Sequence, residues 1–358
     1  SMPYTSGTTG RPKGIRRFAP SPAETERAAG ALGDNVRRVY GLESGVRALL
    51  PAPMYHSAPN MYAMQAVLLG ATLYLESRFD AERTLHLIEK EQITHAYLVP
   101  TMFSRMLKLP DEVKRRYDLS SMEFVITMGS PCAPEVKRAM IDWWGPVIHE
   151  SYAASELGLV TFISAAEALE RPGSAGRPIP GVRLKILDLE GRELPPRATG
   201  LIYARQAAYT DFTYNNNDGA RKQLERDGLW TLGDMGWLDE DGYLYLSDRA
   251  VDMVISGGAN IYPAEIEAAL IVMPGVADCA VFGIPDAEFG ESLAAAIQPQ
   301  PGFALSQENV KAWLTERIAN YKVPRLVVFH DQLPREDSGK IFKRKLRAPY
   351  WEKAGRSI

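Results

Sequence analysis

Short apolar runs alternate with amphipathic stretches from residue 47 onward, and this alternation predicts strands separated by helices. Helices are expected from a cap at Asp80 to about residue 91, from Pro100 onward, and over residues 134–144. The expected strands are residues 47–50, 71–75, 93–99, 123–128 and 147–152. Such a pattern is typical of a parallel α/β sheet, in which ligands bind beyond the carboxyl ends of the strands.

The pattern changes after Pro172, where short strands and turn signals predict an antiparallel section over residues 182–187, 201–204 and 243–246. A compact mixed unit follows from about Arg249, with helices from Pro263 and over 308–319. Its expected strands are residues 253–255, 276–282, 293–297 and 326–329. We therefore predict an α/β protein of two domains. A large domain over 1–248 has a mostly parallel sheet plus an antiparallel section, and a small, mobile α+β lid domain covers 249–358.

Composition and charge exclude several classes of function. The 358 residues carry 41 Lys and Arg against 44 Asp and Glu, a net charge of −3, which argues against nucleic-acid binding. Cys132 and Cys279 are too few for a disulfide framework or a structural zinc site, so we expect a reducing, cytoplasmic setting. No apolar run reaches the ~20 residues of a membrane span and no signal-peptide pattern opens the chain, so no transmembrane segment is expected.

The stretch from Tyr4 to Gly14 has the composition of a loop that binds polyphosphate. It combines three glycines, four Ser or Thr hydroxyls and Lys13, which supply close backbone approach, hydrogen-bond donors and positive charge. It is not a Walker loop, because Pro12 stands where the second glycine should be. A flexible Ser/Thr/Gly linker is the alternative with the same composition.

Five strings of the sequence occur in the order of a known family. They are YTSGTTGRPKG (4–14), YAASE (152–156), WTLGD (230–234), DR followed by GGANIYP (248–263), and PREDSGKI (334–341). Together they resemble the signature elements of the adenylate-forming superfamily, which includes acyl- and aryl-CoA synthetases, luciferases and peptide-synthetase adenylation domains. Five ordered matches across nearly the whole chain are far more specific than any one of them.

The resemblance implies attack of a carboxylate on the α-phosphate of ATP, which requires a site that neutralises charge. Glu156 is the implied Mg²⁺ ligand and a catalytic residue, and a carboxylate at the start of a helix is the alternative interpretation. Lys340 is the implied catalytic lysine that bridges the attacking carboxylate and the phosphate, and a solvated surface lysine is the alternative. The implied phosphate-binding loop residues are Thr5, Ser6, Gly7, Thr8, Thr9 and Lys13.

The resemblance also implies the contacts to the adenine base. Tyr152 would stack on the base with Ser155 beside it, although ordinary packing is the alternative for a tyrosine. The small residues Gly129, Ser130 and Pro131 would form the wall on the other face of the base.

Ribose, acyl and CoA contacts follow from the same resemblance. Asp234 would accept hydrogen bonds from the ribose hydroxyls and Arg249 would contact ribose and phosphate, although loop aspartates are often turn formers. His56, in the string PMYHSA, would line or gate the acyl pocket, and a packed histidine at a strand end is the alternative. Gly257 and Gly258 would reach the thiol channel of CoA when residues 249–358 rotate between the two half-reactions.

The basic run Lys343, Arg344, Lys345 and Arg347 is typical of a solvated helix face, although it could also assist the CoA phosphates, and we leave it out of the candidate site.

Three departures from the family pattern stand out. Ala153 replaces the usual glycine after the adenine tyrosine, and Val251 replaces the usual Lys or Asp at the hinge. Family members also carry an N-terminal region ahead of the signature loop that this sequence does not include.

We therefore expect an acyl-CoA synthetase for a fatty or related carboxylic acid, using ATP, Mg²⁺ and coenzyme A. Its partners would be these small molecules, with no nucleic acid, and a homodimer is left open. The alternatives are an aryl-CoA ligase, an adenylation enzyme that loads a carrier protein, and a non-catalytic nucleotide-binding remnant.

Overall fold

The computed structural model of this protein describes residues 2–5, 13–335 and 341–354. The chain divides into two compact units. The first comprises Ser1–Leu232 and Gly236–Leu246, and the second comprises Gly233–Met235 and Ser247–Ile358. The roles assigned to domains 1–248 and 249–358 stay predictions.

The helices begin at recognisable signals. The side chain of Asp80 accepts a hydrogen bond from Arg83 N at 2.8 Å, and Pro100, Pro134 and Pro263 each occupy a first helical position, where a missing N–H costs nothing.

No helix in the described ranges is both long and apolar enough to cross a bilayer. The helices of the described residues are α1 (Pro22–Tyr40), α2 (Ser57–Leu68), α3 (Ala81–Glu91), α4 (Pro100–Leu107), α5 (Asp111–Lys114), α6 (Pro134–Trp144), α7 (Ala165–Glu170), α8 (Asp218–Lys222), α9 (Pro263–Ile271), α10 (Gln307–Thr315) and α11 (Lys343–Lys353).

The strands fall into several sheets. In the first half of the chain they are β1 (Tyr4–Thr5), β2 (Lys13–Arg17), β3 (Arg47–Leu50), β4 (Thr72–Leu75), β5 (His95–Leu98), β6 (Phe124–Thr127), β7 (Ile148–Glu150), β8 (Ala153–Ala154), β9 (Gly158–Leu159), β10 (Thr161–Phe162) and β11 (Ser174–Pro178). The later strands are β12 (Val182–Leu187), β13 (Gly200–Gln206), β14 (Phe212–Tyr214), β15 (Glu225–Arg226), β16 (Leu229–Trp230), β17 (Asp234–Leu238), β18 (Leu244–Arg249), β19 (Val254–Ser256), β20 (Ala259–Ile261), β21 (Val276–Asp286), β22 (Gly290–Pro299) and β23 (Leu326–Phe329).

The first unit contains a five-stranded parallel sheet. Its strand order is β4-β3-β5-β6-β7, and every neighbouring pair is parallel. Strand β5 is buried along its whole length, as expected for a strand covered on both faces. The carboxyl ends of β3, β6 and β7 therefore lie along one edge of this sheet, and three of the predicted site segments follow these ends.

Antiparallel sheets form most of the rest of the first unit, although residues 234–235 of β17 and 247–249 of β18 belong to the second unit. One path runs β10-β11-β18-β17-β13-β16-β15, with β12 paired to β13. A three-stranded sheet, β1-β2-β14, joins the front of the chain to residues 212–214. The side chains of Ile15, Phe212 and Trp230 belong to one buried cluster, so β2 and β14 are held by hydrophobic packing as well as by backbone hydrogen bonds.

The second unit is a small α+β body. Its sheet has the order β20-β19-β22-β21, with β23 parallel to β22. Helices α9 and α10 cover one face, where Ile266, Leu270 and Leu314 are fully buried. Leu346 of α11 packs in a second cluster with Phe282 and Leu333.

The structure confirms the predicted fold class, and most predicted elements agree with it to within a few residues. Helix α10 ends at Thr315 rather than at 319, because Ala319 takes an extended conformation before a short 3₁₀ turn. Helices α1, α2, α7 and α8 were not predicted. The apolar side chains of α2 surround that helix, with Tyr62 buried and Leu68 exposed, so its pattern has no polar face.

Candidate functional site

Glu156 lies in the tight turn that joins β8 to β9, so the alternative of a carboxylate at a helix start is wrong. Only 6% of the residue is exposed. The hydroxyl of Tyr214 donates a hydrogen bond to Glu156 Oε1 at 2.8 Å. Burial raises the pKa of Glu156 above its ordinary value, against the lowering effect of Tyr214, Arg17 and Lys13. The result is a buried carboxylate held by a neutral donor, with cations nearby.

The short sheet β1-β2-β14 places Lys13 close to Tyr214, the residue that donates to this carboxylate. Thr5 pairs with Lys13 across β1 and β2, so the two ends of the glycine-rich loop are held together. The Lys13 ammonium lies 5.2 Å from the centroid of the Tyr214 ring, which is within cation–π range. The predicted loop residues Ser6, Gly7, Thr8 and Thr9 lie outside the described residues, and Thr5 is described only through its backbone.

Arg17, which the sequence reasoning missed, fixes the backbone of the Glu156 turn. Its Nη2 donates to the carbonyl oxygens of Ser155 and Glu156, both at 2.9 Å, and its Nη1 donates to Thr210 O at 3.0 Å. Its guanidinium also lies 4.8 Å from the centroid of the Tyr209 ring. Arg17 comes four residues after Lys13 on a strand that continues the signature loop, and that position was the available signal. Tyr214 belonged to no recognised string.

Ser155 connects this turn to the predicted acyl element. Its Oγ lies 2.6 Å from the Oγ of Ser57, the first residue of α2. His56 is the N-cap residue of the same helix, and its ring lies 4.4 Å from that of Tyr55 between centroids. The structure therefore brings His56 and the Glu156 turn to neighbouring positions in the first unit. His56 begins helix α2 rather than ending a strand, and its role at the acyl pocket stays a prediction.

The adenine-site candidates follow the ends of two adjacent parallel strands. Gly129, Ser130 and Pro131 come after β6, and Gly129 has φ +98°, a conformation that side chains disfavour. Tyr152 comes after β7, where the preceding residue donates its N–H to the carbonyl of Thr127 in β6 at 3.1 Å. Their common location at the sheet edge is the expected one for a ligand.

Tyr152 itself is largely buried. Its ring belongs to the hydrophobic cluster that includes Ile15, Leu157 and Val160, and 9% of the residue is exposed. Core side chains therefore cover most of the surface of Tyr152, and its stacking on adenine stays a prediction. Ala153, the departure from glycine, lies in β8 with a negative φ, so its Cβ is accommodated without strain.

Asp234 and Arg249 come together in the second unit. The Nε of Arg249 lies 3.5 Å from Asp234 Oδ1. The N–H of Ala250 donates to the carbonyl of Gly233 at 2.8 Å, which joins the two motif segments through their backbones. Both candidates for ribose contacts therefore lie on one surface of this unit.

The glycine pair forms the turn between β19 and β20, with φ +57° at Gly257 and +82° at Gly258. A Cβ at Gly257 would approach the Phe289 ring to 2.9 Å, whereas one at Gly258 would meet nothing within 4 Å. Lys340 lies outside the described residues.

The residues around Glu156 fit a magnesium–nucleotide complex. No group of three or more His, Cys, Asp or Glu side chains that could hold a metal occurs among the described residues. Mg²⁺ usually binds through one or two carboxylates together with substrate phosphates, and the single buried carboxylate of Glu156 matches that donor set. Glu156 would therefore hold the ion jointly with ATP.

Comparison with known proteins identifies the family. The AMP-binding enzyme family matches residues 1–211, and the AMP-binding enzyme C-terminal domain matches residues 265–340. Feruloyl-CoA synthase of an Amycolatopsis species is 36% identical over 96% of this chain and 68% of its own length. A long-chain-fatty-acid–CoA ligase of Mycobacterium tuberculosis is 32% identical over 97% of this chain and 67% of its own length.

A solved structure agrees with these relatives. The o-succinylbenzoate CoA synthetase of Bacillus subtilis, in complex with its acyl-adenylate intermediate, superimposes with a TM-score of 0.82 at 29% identity. The match covers 96% of this chain and 68% of that one. This chain is thus an AMP-binding enzyme, a ligase of the adenylate-forming superfamily.

Proposed function

We propose that this protein is an acyl-CoA synthetase that activates a fatty or related carboxylic acid. In the first half-reaction a carboxylate oxygen attacks the α-phosphorus of ATP, an acyl-adenylate forms and pyrophosphate leaves. In the second, the thiol of coenzyme A attacks the acyl carbon, the thioester forms and AMP leaves. The observation that carries the proposal is the convergence of Lys13, from the glycine-rich loop, and Glu156, from the YAASE turn, around Tyr214.

The charges of the two reactants explain why this convergence matters. A carboxylate and a triphosphate repel each other, so adenylation needs positive charge where negative charge accumulates. Bound Mg²⁺ would supply part of that charge by coordinating phosphate oxygens. Glu156 would hold the ion, Arg17 keeps the Glu156 backbone in place, and Lys13 adds a positive charge next to the same carboxylate.

Residues of the second unit would complete the two steps. Asp234 and Arg249 would bind the ribose, and Lys340 would bridge the carboxylate and the α-phosphate during adenylation. The Gly257–Gly258 turn would serve the thioester-forming step.

An aryl-CoA ligase is the second candidate. It is favoured by the 36% identity to a feruloyl-CoA synthase, whose named product carries an aromatic acyl group, against 32% for the fatty-acid ligase. The fatty-acyl proposal rests on the string APMYHSAP around His56 and on the string PREDSGKIFKRKLR.

A pyrophosphate-release assay with a panel of straight-chain and aromatic carboxylic acids tests the substrate class. Release that depends on a straight-chain acid and on ATP supports the proposal. Release with aromatic acids alone replaces it with the aryl-CoA ligase. Nucleotide binding in calorimetry without release for any acid would identify a non-catalytic remnant.

The role of Lys340 has its own test. We expect Lys340→Ala to reduce adenylation by a factor of hundreds or more, by analogy with the ~3–4 kcal/mol lost with an oxyanion donor. Thioester formation from supplied acyl-adenylate and coenzyme A should survive. Equal loss of both half-reactions in a folded variant would contradict the role.

A further inference from the structure

Two basic residues of α11 face the interior of the second unit. Arg344 and Lys345 are exposed, as expected for a solvated helix face. Lys343 and Arg347 are four residues apart and therefore share a different face of the helix, where side-chain exposure is only 21% for each. The expectation of a solvated face is wrong for these two residues, because both contact carboxylates of neighbouring segments.

Lys343 ties α11 to α9. Its Nζ lies 2.8 Å from Glu267 Oε1, and the same oxygen accepts a hydrogen bond from the N–H of Val281 in β21 at 2.7 Å. Burial alone would lower the pKa of Lys343, but the charges of Glu267, Asp248 and Asp252 raise it above its ordinary value. Lys343 is therefore the cation that faces three carboxylates.

Two of those carboxylates belong to residues 247–253, which we call the connector because they follow directly on the first compact unit along the chain. Asp248 Oδ2 accepts a hydrogen bond from the N–H of Ala264, in the first turn of α9, at 2.8 Å. Arg347 Nη1 donates to the carbonyl of Val251 at 3.3 Å and lies 3.8 Å from Asp252 Oδ1. The connector, α9 and α11 are thus joined pairwise in a closed set of contacts.

The connector also carries a candidate nucleotide-binding residue. Arg249 comes between Asp248 and Asp252 in sequence. Its N–H donates to Asp248 Oδ1 at 2.8 Å, and its Nε lies 3.5 Å from Asp234 Oδ1. At Val251, where the family pattern has a charged side chain, the bond from Arg347 is made to the backbone. Any change that frees the connector from α11 therefore alters the support of the Asp234–Arg249 pair.

We propose that Lys343 and Arg347 are positioning residues, which clamp the connector to α9 and α11 within the second unit and so hold Arg249 and Asp234 in place. The consequence for nucleotide binding rests on the proposed function, whereas the clamp itself does not. Neither residue is expected to touch the substrate.

Limited proteolysis of the 358-residue protein tests the clamp. Trypsin can cleave after Arg249, whose side chain is half exposed, once the connector opens. We expect Arg347→Met and Asp252→Asn each to accelerate cleavage after Arg249 about tenfold, as weakened local contacts raise the open population. The matched control is Lys345→Met, which removes an exposed charge from the same helix.

The outcomes separate positioning from general folding. Cleavage after Arg249 at the same rate in Arg347→Met and Lys345→Met would overturn the proposal. Acceleration in Arg347→Met that is uniform at trypsin sites throughout the chain and comes with a lower Tm would also overturn it. Rescue by Lys343→Arg of the acceleration seen in Lys343→Met would support it, because the contact to Glu267 needs a cation.

A binding measurement then connects the clamp to the site. The Kd for ATP in calorimetry should rise several-fold in Arg347→Met and stay at the wild-type value in Lys345→Met. An unchanged Kd with faster cleavage would overturn the link to Arg249 but leave the clamp in place. Absence of ATP binding by the wild-type protein would contradict the proposed function, and the proteolysis would still decide the clamp.

Discussion

The turn at Glu156 and the connector hold their carboxylates in different ways, and Glu156 is buried whereas the carboxylates around the connector are half-buried. Glu156 is hydrogen-bonded to the neutral Tyr214, and among the described residues no cation forms a contact ion pair with its side chain. Asp252 of the connector pairs with Arg347 of α11, and Glu267 of α9 pairs with Lys343 of α11. Burial raises the pKa of both Glu156 and Glu267.

Under the proposed function, this difference separates a carboxylate that would bind an external cation from carboxylates that hold the fold. A buried charge without an ion-pair partner costs free energy. A protein that keeps such a charge leaves it available to a ligand of opposite charge. A buried charge paired by the protein's own cation is already compensated, and removal of that cation is what destabilises the structure. The two regions should therefore respond oppositely to mutation, one in activity and the other in stability.

The largest expected effect concerns activity. Glu156→Gln should lower the rate of Mg²⁺-dependent pyrophosphate release by about 10²–10³-fold, as expected for loss of an electrostatic stabiliser. Its Tm should stay the same or rise, because the variant no longer buries a carboxylate. Glu190→Gln, at an exposed position, serves as the control. A fall in Tm for Glu156→Gln without loss of rate would contradict the assignment of Glu156 to activity rather than to stability.

The opposite response is expected in the second unit. Lys343→Met should lower the free energy of unfolding by about 3 kcal/mol, since it leaves carboxylates without their cation. Urea unfolding at neutral pH measures this loss, with Lys345→Met as the matched variant. Equal stability of the two variants would mean that the Lys343 contacts contribute no more than a surface charge does.

The pH dependence of folding stability tests the cost of burying a different group, the imidazole of His149. Burial lowers the pKa of His149 to about 4, since its ring packs against the rings of Phe124 and Phe162 and its Nδ1 accepts a hydrogen bond from Ala165 N. The unfolded chain binds a proton near pH 6.5 and the folded protein does not, so stability should fall by up to ~3 kcal/mol from pH 6.5 to 4.

His149→Asn removes the titrating ring and should flatten this dependence in Tm measurements between pH 7 and pH 4. His330→Asn, a histidine outside this stack, is the control and should keep the wild-type slope. An unchanged slope in His149→Asn would assign the acid sensitivity to other groups.

The smallest effect tests the neutral donor to Glu156. Tyr214→Phe keeps the ring beside Lys13 and removes only the hydroxyl, so Glu156 loses one orienting hydrogen bond worth about 1.5 kcal/mol. The Mg²⁺ concentration for half-maximal ATP binding should rise about tenfold, while ATP binding in EDTA stays the same. Tyr203→Phe, which removes a hydroxyl elsewhere in the unit, should match the wild type in both measurements.

The sequence predicted the parallel sheet well because its strands are short apolar runs bounded by turn residues. Helix α6 and strand β12 have the expected bounds, and Pro134 marks the helix start in the sequence itself. Helix α2 could not be predicted in this way, since its exposed apolar side chains mask the helical period. The motif residues were found through their order along the chain, whereas Arg17 and Tyr214 belong to no string and act on Glu156 from 139 and 58 residues away.

The sequence by itself determined the alternation of strands and helices, the candidate residues and the family, because these depend on local pattern and on order along the chain. Only the tertiary structure decided which charges meet. In the sequence, Lys343 beside Arg344 and Lys345 is typical of a surface lysine. Its ion pair is with Glu267, 76 residues earlier, and folding brings Lys343 Nζ to 2.8 Å from Glu267 Oε1. The environment of a charge is set by packing between distant segments, and no local pattern encodes that.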